Sequence, residues 1–225
     1  MYGVIFDMDG VLVDSAEAHL RSWQIMAAEQ GRTMSAEVFR ATFGRRSGDI
    51  IAEVFGIADP VEIRRLDDRK EAIYRDLIRQ HIPAMDGAVA LVRALRAAGF
   101  RLAIGSSGPQ ENVDLVVDGL GLGDCFDARI SARQVTRGKP DPQVFLLAAE
   151  GLGLPPGRCA VVEDAPAGIE AARAAGAVAI GLVGTHPAAA LDGADLLVSA
   201  LGELTPERVM DLIDSRNRRR FPASG

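Results

Sequence analysis

Short apolar runs rich in β-forming residues alternate with helical segments along most of the chain. The first run, YGVIFD at residues 2–7, ends abruptly in acidic residues and Gly10, as a buried parallel strand would. Further runs of this kind occupy residues 101–106, 127–131, 159–164, 178–183 and 195–199, of which the one at 127–131 is the weakest. The helical segments between the runs cover residues 86–98, 110–120, 141–152 and 166–175. Because strand and helix alternate, the sequence predicts an α/β fold with a doubly wound, mostly parallel sheet and a Rossmann-like core.

One part of the chain interrupts this alternation. Residues 15 to about 80 contain four helical patterns and no convincing strand, at 16–30, 35–42, 47–55 and 60–80. Pro83 interrupts the last helix, so we expect linkers near residues 14–16 and 82–86. We therefore predict a catalytic core formed by residues 1–14 and 83–225, and an inserted α-helical cap domain, called the cap below, formed by residues 15–82.

Charge and hydropathy limit the possible partners. The chain has 225 residues, of which 48% are hydrophobic, and no apolar run approaches bilayer length. No signal peptide is evident before Asp7, so we expect a cytoplasmic protein with no membrane partner. A formal net charge of −6 disfavours nucleic acid as a partner. The basic cluster of Arg216 and residues 218–220 is interpreted as a solvated helix end. We expect a small-molecule partner and a monomer or weak homodimer.

Polar residues stand at the carboxyl ends of the predicted strands. They are Asp7 and Asp9 after the first strand, Ser106 after the second, and Glu163 and Asp164. Ligands bind at this edge of an open α/β sheet, and a carboxylate cluster there needs a cation to offset its mutual repulsion. Hard oxygen ligands without clustered His or Cys favour Mg²⁺. Lysine occurs only at Lys70 and Lys139, and the ammonium of Lys139 could bind phosphoryl oxygens.

Four ordered segments resemble the motifs of the haloacid dehalogenase-like hydrolase superfamily. They are FDMDGVLVDS at 6–15, IGSSG at 104–108, GKPDPQVF at 138–145 and VVEDAPAGIEAARAAG at 161–176. The helical insertion after the first motif resembles the branch that contains β-phosphoglucomutase and phosphoglycolate phosphatase-like enzymes. The resemblance implies a phosphatase that hydrolyses small phosphorylated metabolites, of the sugar phosphate or phosphoglycolate type, through an aspartyl-phosphate.

The resemblance also implies roles for the acidic residues. The Asp7 carboxylate would attack phosphorus, and Asp9 would protonate the leaving oxygen and later deprotonate the attacking water. Mg²⁺ would be held by the Asp7 side chain, the Asp9 backbone carbonyl and Asp164, with Glu163 close by or acting through water.

Phosphate and substrate contacts are expected from both sides of the site. By resemblance, Ser106 and Lys139 would hold the phosphoryl oxygens, and Ser107 is a further candidate for substrate binding. The candidates from the cap are His19, Gly44, Arg45 and Arg46. The charged helix between residues 60 and 80, which contains Lys70, is expected to present a solvated face.

A sugar phosphomutase is the main alternative. His19 and Trp23 match the mutase pattern, but the residues that would bind a second phosphate are altered around Gly44. Pro109 and Gln110 also stand where a Lys-Asn pair is expected. The phosphatase is therefore preferred and the mutase left open.

Other chemistries of the superfamily fit less well. The presence of Asp9 disfavours a dehalogenase, which has no leaving alkoxide to protonate. A phosphonate hydrolase would need a cap lysine for a Schiff base, and Lys70 lies in a charged helix. A binding module that has lost its chemistry remains a distant alternative, since such a relative would have lost at least Asp7 or Asp9.

Overall fold

The computed structural model describes residues 1–220, with the side chain of Arg220 excepted. The end of the predicted core, residues 221–225, therefore lies outside the described residues. The strands are β1 (Gly3–Phe6), β2 (Arg101–Gly105), β3 (Ala128–Ile130), β4 (Cys159–Glu163), β5 (Val178–Leu182) and β6 (Leu196–Val198). They form one sheet in the order β3-β2-β1-β4-β5-β6, and every neighbouring pair is parallel. The predicted α/β class is confirmed.

Burial on both faces of the sheet explains why its strands read as continuous apolar runs. In β1, Val4 and Phe6 belong to the apolar cluster on one face, whereas Ile5 belongs to the cluster on the other face. All three side chains have no exposed surface. Alternate side chains of a strand point to opposite faces, so a strand covered on both sides needs apolar residues at every position.

Helices form the cap and cover the sheet. The cap contributes α1 (Ala16–Glu29), α2 (Ala36–Thr42), α3 (Ser47–Phe55) and α4 (Pro60–Ile78). The core contributes α5 (Ala88–Ala97), α6 (Gln110–Gly119), α7 (Gln143–Gly151), α8 (Pro166–Ala175) and α9 (Pro206–Arg220). None of the helices in residues 1–220 is both long enough and apolar enough to cross a bilayer.

The cap helices have an apolar cluster of their own. It contains Trp23, Met26, Phe39, Ile51, Phe55 and Leu66, among others. Helix α4 begins at a well-defined cap, because the Asp59 side chain accepts a hydrogen bond from the Val61 amide at 3.1 Å and Pro60 occupies the first turn. A separate cluster is what an inserted domain needs, and the proposed boundaries at 14/15 and 82/83 remain a prediction.

Two chain segments connect the cap to the core and run side by side. The Asp14 amide donates to the Pro83 carbonyl at 2.7 Å, and the Met85 amide donates to the Leu12 carbonyl at 3.0 Å. These two hydrogen bonds tie the connections together at the base of the cap.

The sheet has its topological switch point between β1 and β4. The chain adds β2 and β3 on one side of β1, and then adds β4, β5 and β6 on its other side. In a doubly wound sheet this switch point opens a crevice at the carboxyl ends of the two strands. Asp7 follows β1 directly, and its amide extends the pairing by donating to the Val162 carbonyl at 2.9 Å. Glu163 is the last residue of β4. The fold thus places both acidic groups at the switch point.

One prediction about the surface holds only in part. Arg218 and Arg219 are exposed, as expected of a solvated helix end. Arg216 is not a solvated residue, since its side chain is only 12% exposed. Its guanidinium donates to the Gly176 carbonyl at 2.8 Å and lies 3.4 Å from an Asp195 carboxylate oxygen. The side chain therefore anchors α9 to the segments that precede β5 and β6, a long-range pairing that the local sequence does not reveal.

Candidate active site

Three buried carboxylates meet at the switch point of the sheet. One oxygen each from Asp7, Glu163 and Asp164 lies within 4.8 Å of the others. The Lys139 ammonium lies between two of them, 2.6 Å from Asp7 Oδ1 and 2.6 Å from Glu163 Oε1. Three buried carboxylates with one lysine leave an excess of negative charge, which a cation would offset.

The geometry around Asp164 fits a cation ligand. Within residues 1–220, Asp164 Oδ2 is buried without a hydrogen-bond partner. A Cβ atom at Gly10, whose φ is +77°, would overlap this oxygen, so the glycine keeps the space open. The neighbouring Glu163 is oriented by its own backbone, because its Oε2 accepts from the amides of Asp164 and Ala165 at 2.9 Å each. Such hard oxygen donors suit a divalent cation, which the side chains of Asp7, Glu163 and Asp164 could hold.

Burial dominates the electrostatics of this cluster. Burial raises the pKa of Asp7 to about 7, Lys139 opposes that shift and Glu163 adds to it. Burial followed by repulsion from Glu163 also raises the pKa of Asp164. For Lys139, burial favours the neutral amine, but attraction to Asp7 and Glu163 outweighs it and raises the pKa. Lys139 therefore stays protonated beside the nucleophile candidate.

Asp9 lies in a different environment from Asp7. Its Oδ1 accepts hydrogen bonds from Ser15 Oγ at 2.6 Å, His19 Nε2 at 3.0 Å and Tyr74 Oη at 3.3 Å. Burial opposes ionisation, but attraction to His19 and the hydrogen bonds from His19 and Ser15 lower the pKa of Asp9 to about 2. The carboxylate of Asp9 thus faces the cap, and the carboxylate of Asp7 faces the acidic cluster.

The second motif supplies small polar groups beside the acidic residues. Ser106 directly follows β2 and is 1% exposed. Its Oγ accepts from the Gly108 amide at 3.0 Å, which leaves the hydroxyl proton for another acceptor. Ser107 and Gly108 line the cavity above Asp7.

Buried charges of the cap complete the site, which corrects the expectation of a solvated face on α4. Lys70 and Glu71 are only 2% and 5% exposed. Lys70 Nζ lies 2.8 Å from Glu71 Oε1 and 2.8 Å from His19 Nδ1. The His19 ring also stacks on Tyr74, with 3.8 Å between ring centroids.

The helical period contained a signal for Lys70 that the sequence analysis overlooked. Leu66, Lys70 and Tyr74 are four residues apart, so they share one face of α4, and the two neighbours of the lysine are apolar or aromatic. The buried charge of Lys70 is stable at this position because the Glu71 carboxylate forms an ion pair with it. The contacts of Ser15 and Tyr74 with Asp9 were missed as well, although Ser15 closes the first motif.

The predicted cap residues separate into two groups. Gly44, with φ of +87°, and Arg45 line the cavity, and Arg45 is paired at 2.5 Å with Glu53. Arg46 lines a neighbouring cleft and donates to the Thr136 carbonyl of the core at 3.3 Å. The structure therefore brings His19, Gly44 and Arg45 to the cavity, and directs Arg46 to a contact between the cap and the core.

The cavity lies between the cap and the carboxyl edge of the sheet. Its floor contains Asp7, Asp9, Ser107 and Gly108. Its cap side is lined by His19, Trp23, Phe39, Phe43, Gly44, Arg45, Ser47, Ile50, Lys70 and Glu71.

Proteins with named activities resemble the chain over most of its length. It is 32% identical, across 95% of its residues, to the chloroplastic 5-amino-6-(5-phospho-D-ribitylamino)uracil phosphatase of Arabidopsis thaliana, and it spans 58% of the length of that protein. It is 33% identical to the validoxylamine A 7′-phosphate phosphatase of Streptomyces hygroscopicus subsp. limoneus, with 91% of this chain and 96% of the relative covered.

The fold also resembles a solved enzyme structure. The β-phosphoglucomutase of Clostridium difficile superposes with a TM-score of 0.86 and 26% sequence identity, covering 96% of this chain and 98% of that one. The family model of the haloacid dehalogenase-like hydrolases matches residues 1–176, which include the first motif, the cap and the acidic cluster. The chain therefore belongs to the haloacid dehalogenase-like hydrolase family.

Proposed function

We propose that this chain is a Mg²⁺-dependent phosphatase that hydrolyses small phosphorylated metabolites through an aspartyl-phosphate on Asp7. The observation that carries the proposal is the contrast between two aspartates that are two residues apart. Asp7 is held by the Lys139 ammonium in the acidic cluster, whereas the Asp9 carboxylate is held by cap residues. This difference supports Asp7 as the group that attacks phosphorus and Asp9 as the group that transfers protons.

In the first half-reaction, the Asp7 carboxylate attacks phosphorus and the bond to the substrate oxygen breaks. Asp9 gives its proton to the leaving oxygen. The negative charge of the entering phosphate favours the protonated form of Asp9, because a nearby like charge disfavours a carboxylate. In the second half-reaction, water attacks phosphorus while Asp9 accepts a proton from it. The bond between phosphorus and the Asp7 oxygen breaks, which releases inorganic phosphate and regenerates the Asp7 carboxylate.

The surrounding residues hold the transferring group. Ser106 and the Lys139 ammonium would donate hydrogen bonds to the phosphoryl oxygens, which stabilises the negative charge of the transition state. A magnesium ion held by Asp7, the Asp9 backbone carbonyl and Asp164, with Glu163 nearby, would neutralise charge on the transferring group.

The lining of the cavity supports a substrate with one phosphate and a neutral, hydroxyl-bearing remainder. The cations on the cap side already have partners, Arg45 with Glu53 and Lys70 with Glu71. Ser47 Oγ donates to Glu71 Oε1 at 2.7 Å and can still accept a hydrogen bond from a substrate hydroxyl, beside an apolar wall that includes Trp23. The two named phosphatases among the relatives act on phosphorylated compounds, which agrees with this substrate class.

The second candidate is a sugar phosphomutase. It is favoured by the likeness to the Clostridium difficile enzyme and by the placement of His19 and Trp23 in the cavity lining. A mutase must bind a second phosphate while its intermediate reorients. The pairing of Arg45 with Glu53 leaves that residue poorly placed for this task, so the phosphatase is preferred.

The test is phosphate release from sugar phosphates, polyol phosphates and phosphoglycolate in the presence of MgCl₂. We expect release that is abolished by chelator and by Asp7→Asn, and retained by Asp14→Asn, which changes an exposed aspartate of the same loop. A parallel assay follows conversion of β-glucose 1-phosphate to glucose 6-phosphate. Efficient isomerisation with little free phosphate would establish the mutase instead, and inactivity in both assays would contradict both candidates.

A further inference from the structure

Asn112 is a fully buried polar residue that has no role in the reaction described above. It lies in the first turn of α6, in the core, and has no exposed surface. Its side-chain hydrogen bonds leave its own helix and reach α4 of the cap. Nδ2 donates to Glu71 Oε2 at 2.6 Å, and Oδ1 accepts from Arg75 Nη1 at 2.9 Å.

The two partners require an amide at this position. Glu71 offers only acceptors and Arg75 only donors, so a side chain between them must donate at one end and accept at the other. Asparagine does both, and its amide orientation is set by these neighbours. A residue that only stabilised the start of α6 would bond within its own helix, as Gln110 does with Asp114 at 3.0 Å.

From Glu71, a continuous series of contacts leads to Asp9. Glu71 Oε1 contacts Lys70 Nζ at 2.8 Å, and Lys70 Nζ contacts His19 Nδ1 at 2.8 Å. The Lys70 ammonium has only donors, so His19 Nδ1 is the acceptor and His19 Nε2 carries the hydrogen. His19 Nε2 then donates to Asp9 Oδ1 at 3.0 Å. Glu71, Lys70 and His19 are buried, which strengthens the contacts between them.

We propose that Asn112 is a positioning residue that couples docking of the cap to the orientation of Asp9. When the cap is docked, Asn112 holds Glu71, Glu71 holds Lys70, and Lys70 holds the His19 tautomer that donates to Asp9 Oδ1. Asp9 Oδ2 is then the oxygen directed at the leaving group. When the cap moves away, Asn112 loses both partners and Asp9 loses its alignment. The proposal rests on the proposed function, because it assigns Asp9 to proton transfer.

The proposal predicts a dependence on the leaving group that loss of folding or loss of substrate affinity does not produce. Donation of a proton matters for an alkyl phosphate, whose leaving alkoxide is strongly basic, and matters little for p-nitrophenyl phosphate, whose leaving phenolate is stable. The value of kcat/KM reports only the steps up to release of this first product. If Asp9 is misaligned, kcat/KM should therefore fall for the alkyl phosphate and change little for p-nitrophenyl phosphate.

The variants are Asn112→Asp, which places a carboxylate against Glu71, and Asn112→Ala, which removes both hydrogen bonds. Gln110→Ala is the matched control, because it removes a side-chain hydrogen bond within the same turn of α6. For both Asn112 variants we expect kcat/KM to fall roughly 10- to 100-fold with an alkyl phosphate and less than about 3-fold with p-nitrophenyl phosphate. The control should behave as wild type. An equal loss with both substrates, or no loss, would overturn the proposal.

A second measurement needs no turnover. The chain has three histidines, so ¹⁵N spectra of histidine-labelled protein can be assigned with His19→Gln. Wild type should show His19 protonated at Nε2 and bare at Nδ1, and both Asn112 variants should show a mixture of tautomers. Unchanged His19 signals in well-folded variants would overturn the role of Asn112. Absence of phosphate release by wild type would instead count against the proposed function, so the two failures can be told apart.

Discussion

At the scale of single residues, the site separates two aspartates of one motif by their surroundings. Burial and carboxylate neighbours raise the pKa of Asp7 to about 7, whereas His19 and Ser15 overcome burial and lower the pKa of Asp9 to about 2. The motif places the two residues on the same loop. The difference between them comes from Lys139 and Glu163 on one side and the cap on the other.

The raised pKa of Asp7 predicts how metal and pH affect stability. The unfolded Asp7 loses its proton near pH 3.8 and the folded one near pH 7. The folded chain therefore binds the extra proton in this interval, and its stability falls as pH rises from about 4 to about 7. Mg²⁺ bound to the Asp7 carboxylate would offset the cost of ionising it. The gain in Tm on adding MgCl₂ to chelated protein should therefore grow between pH 5 and pH 8.

The size of this effect can be estimated from binding. Metal at about 100 times its Kd stabilises the folded state by roughly 2.7 kcal/mol, or about 5–10 °C in Tm for a chain of this length. Thermal melts at each pH with EDTA and with MgCl₂ measure it. The Asp7→Asn variant should show a flatter pH dependence in EDTA, and an equally steep dependence would contradict the assignment.

Asp9 should affect chemistry far more than metal binding. Its carboxylate faces Ser15 and His19 rather than the acidic cluster, and its proposed metal ligand is the backbone carbonyl. We expect Asp9→Asn to lower kcat about 10²- to 10⁴-fold while the Kd for Mg²⁺, measured by calorimetric titration, changes less than about 3-fold. A large loss of Mg²⁺ affinity would instead place the carboxylate among the metal ligands.

At the scale of elements, the turn after β1 has to approach β4 closely. Gly10 provides this approach, because it adopts φ of +77° and a Cβ atom there would overlap Asp164 Oδ2. Gly56, which ends α3, adopts a similar φ of +64° but has open space around its Cβ position. Alanine substitutions at the two glycines therefore share the cost of the left-handed backbone, and only the substitution at Gly10 adds the cost of steric overlap.

We expect Gly10→Ala and Gly56→Ala both to lose about 1–2 kcal/mol of unfolding free energy, from the left-handed backbone alone. Gly10→Ala should lose more than this and should also lose Mg²⁺ binding, because Asp164 is displaced. Denaturant unfolding and calorimetric titration give the two quantities. Normal Mg²⁺ affinity in folded Gly10→Ala would show that Asp164 does not hold the ion.

At the scale of the whole molecule, the site is assembled from both sides of the cavity. The carboxyl edge of the sheet brings Asp7, Ser106 and Asp164, while α1 and α4 of the cap bring His19 and Lys70. The two connections between these halves are joined by the hydrogen bonds at Asp14 and Met85. Movement of the cap on these connections would open the cavity for exchange of substrate and product.

Hydrogen exchange can test this movement. Magnesium with trifluoroberyllate, which mimics a phosphoryl group on an aspartate, should slow exchange in residues 14–16 and 82–86 and in α4 at least several-fold. Helix α9, which packs on the far part of the core, should exchange at the same rate with and without the ligand and serves as the internal control. The hinge hypothesis is contradicted if the linkers exchange equally in both states.

Much of the fold was readable from local patterns. The apolar runs predicted the strands to within a few residues, including the short edge strand β3, and the helical block after β1 contains α1 to α4 as expected. These features can be recognised in the sequence because a strand buried on both faces gives a short continuous apolar run, and an amphipathic helix gives a 3.6-residue period of apolar positions. The acidic strand ends predicted a crevice because parallel strands must meet at one edge.

The sequence by itself determined the α/β class, the position of the helical insertion and the residues at the strand ends. Only the tertiary structure decided that Lys70 and Glu71 are buried, that Arg45 pairs with Glu53, and that Asn112 contacts the cap. A local sequence window cannot show whether a charged residue is solvated or paired in the interior. That outcome depends on a partner from a distant segment, because a buried charge is stable only where folding brings the opposite charge or hydrogen bonds to it.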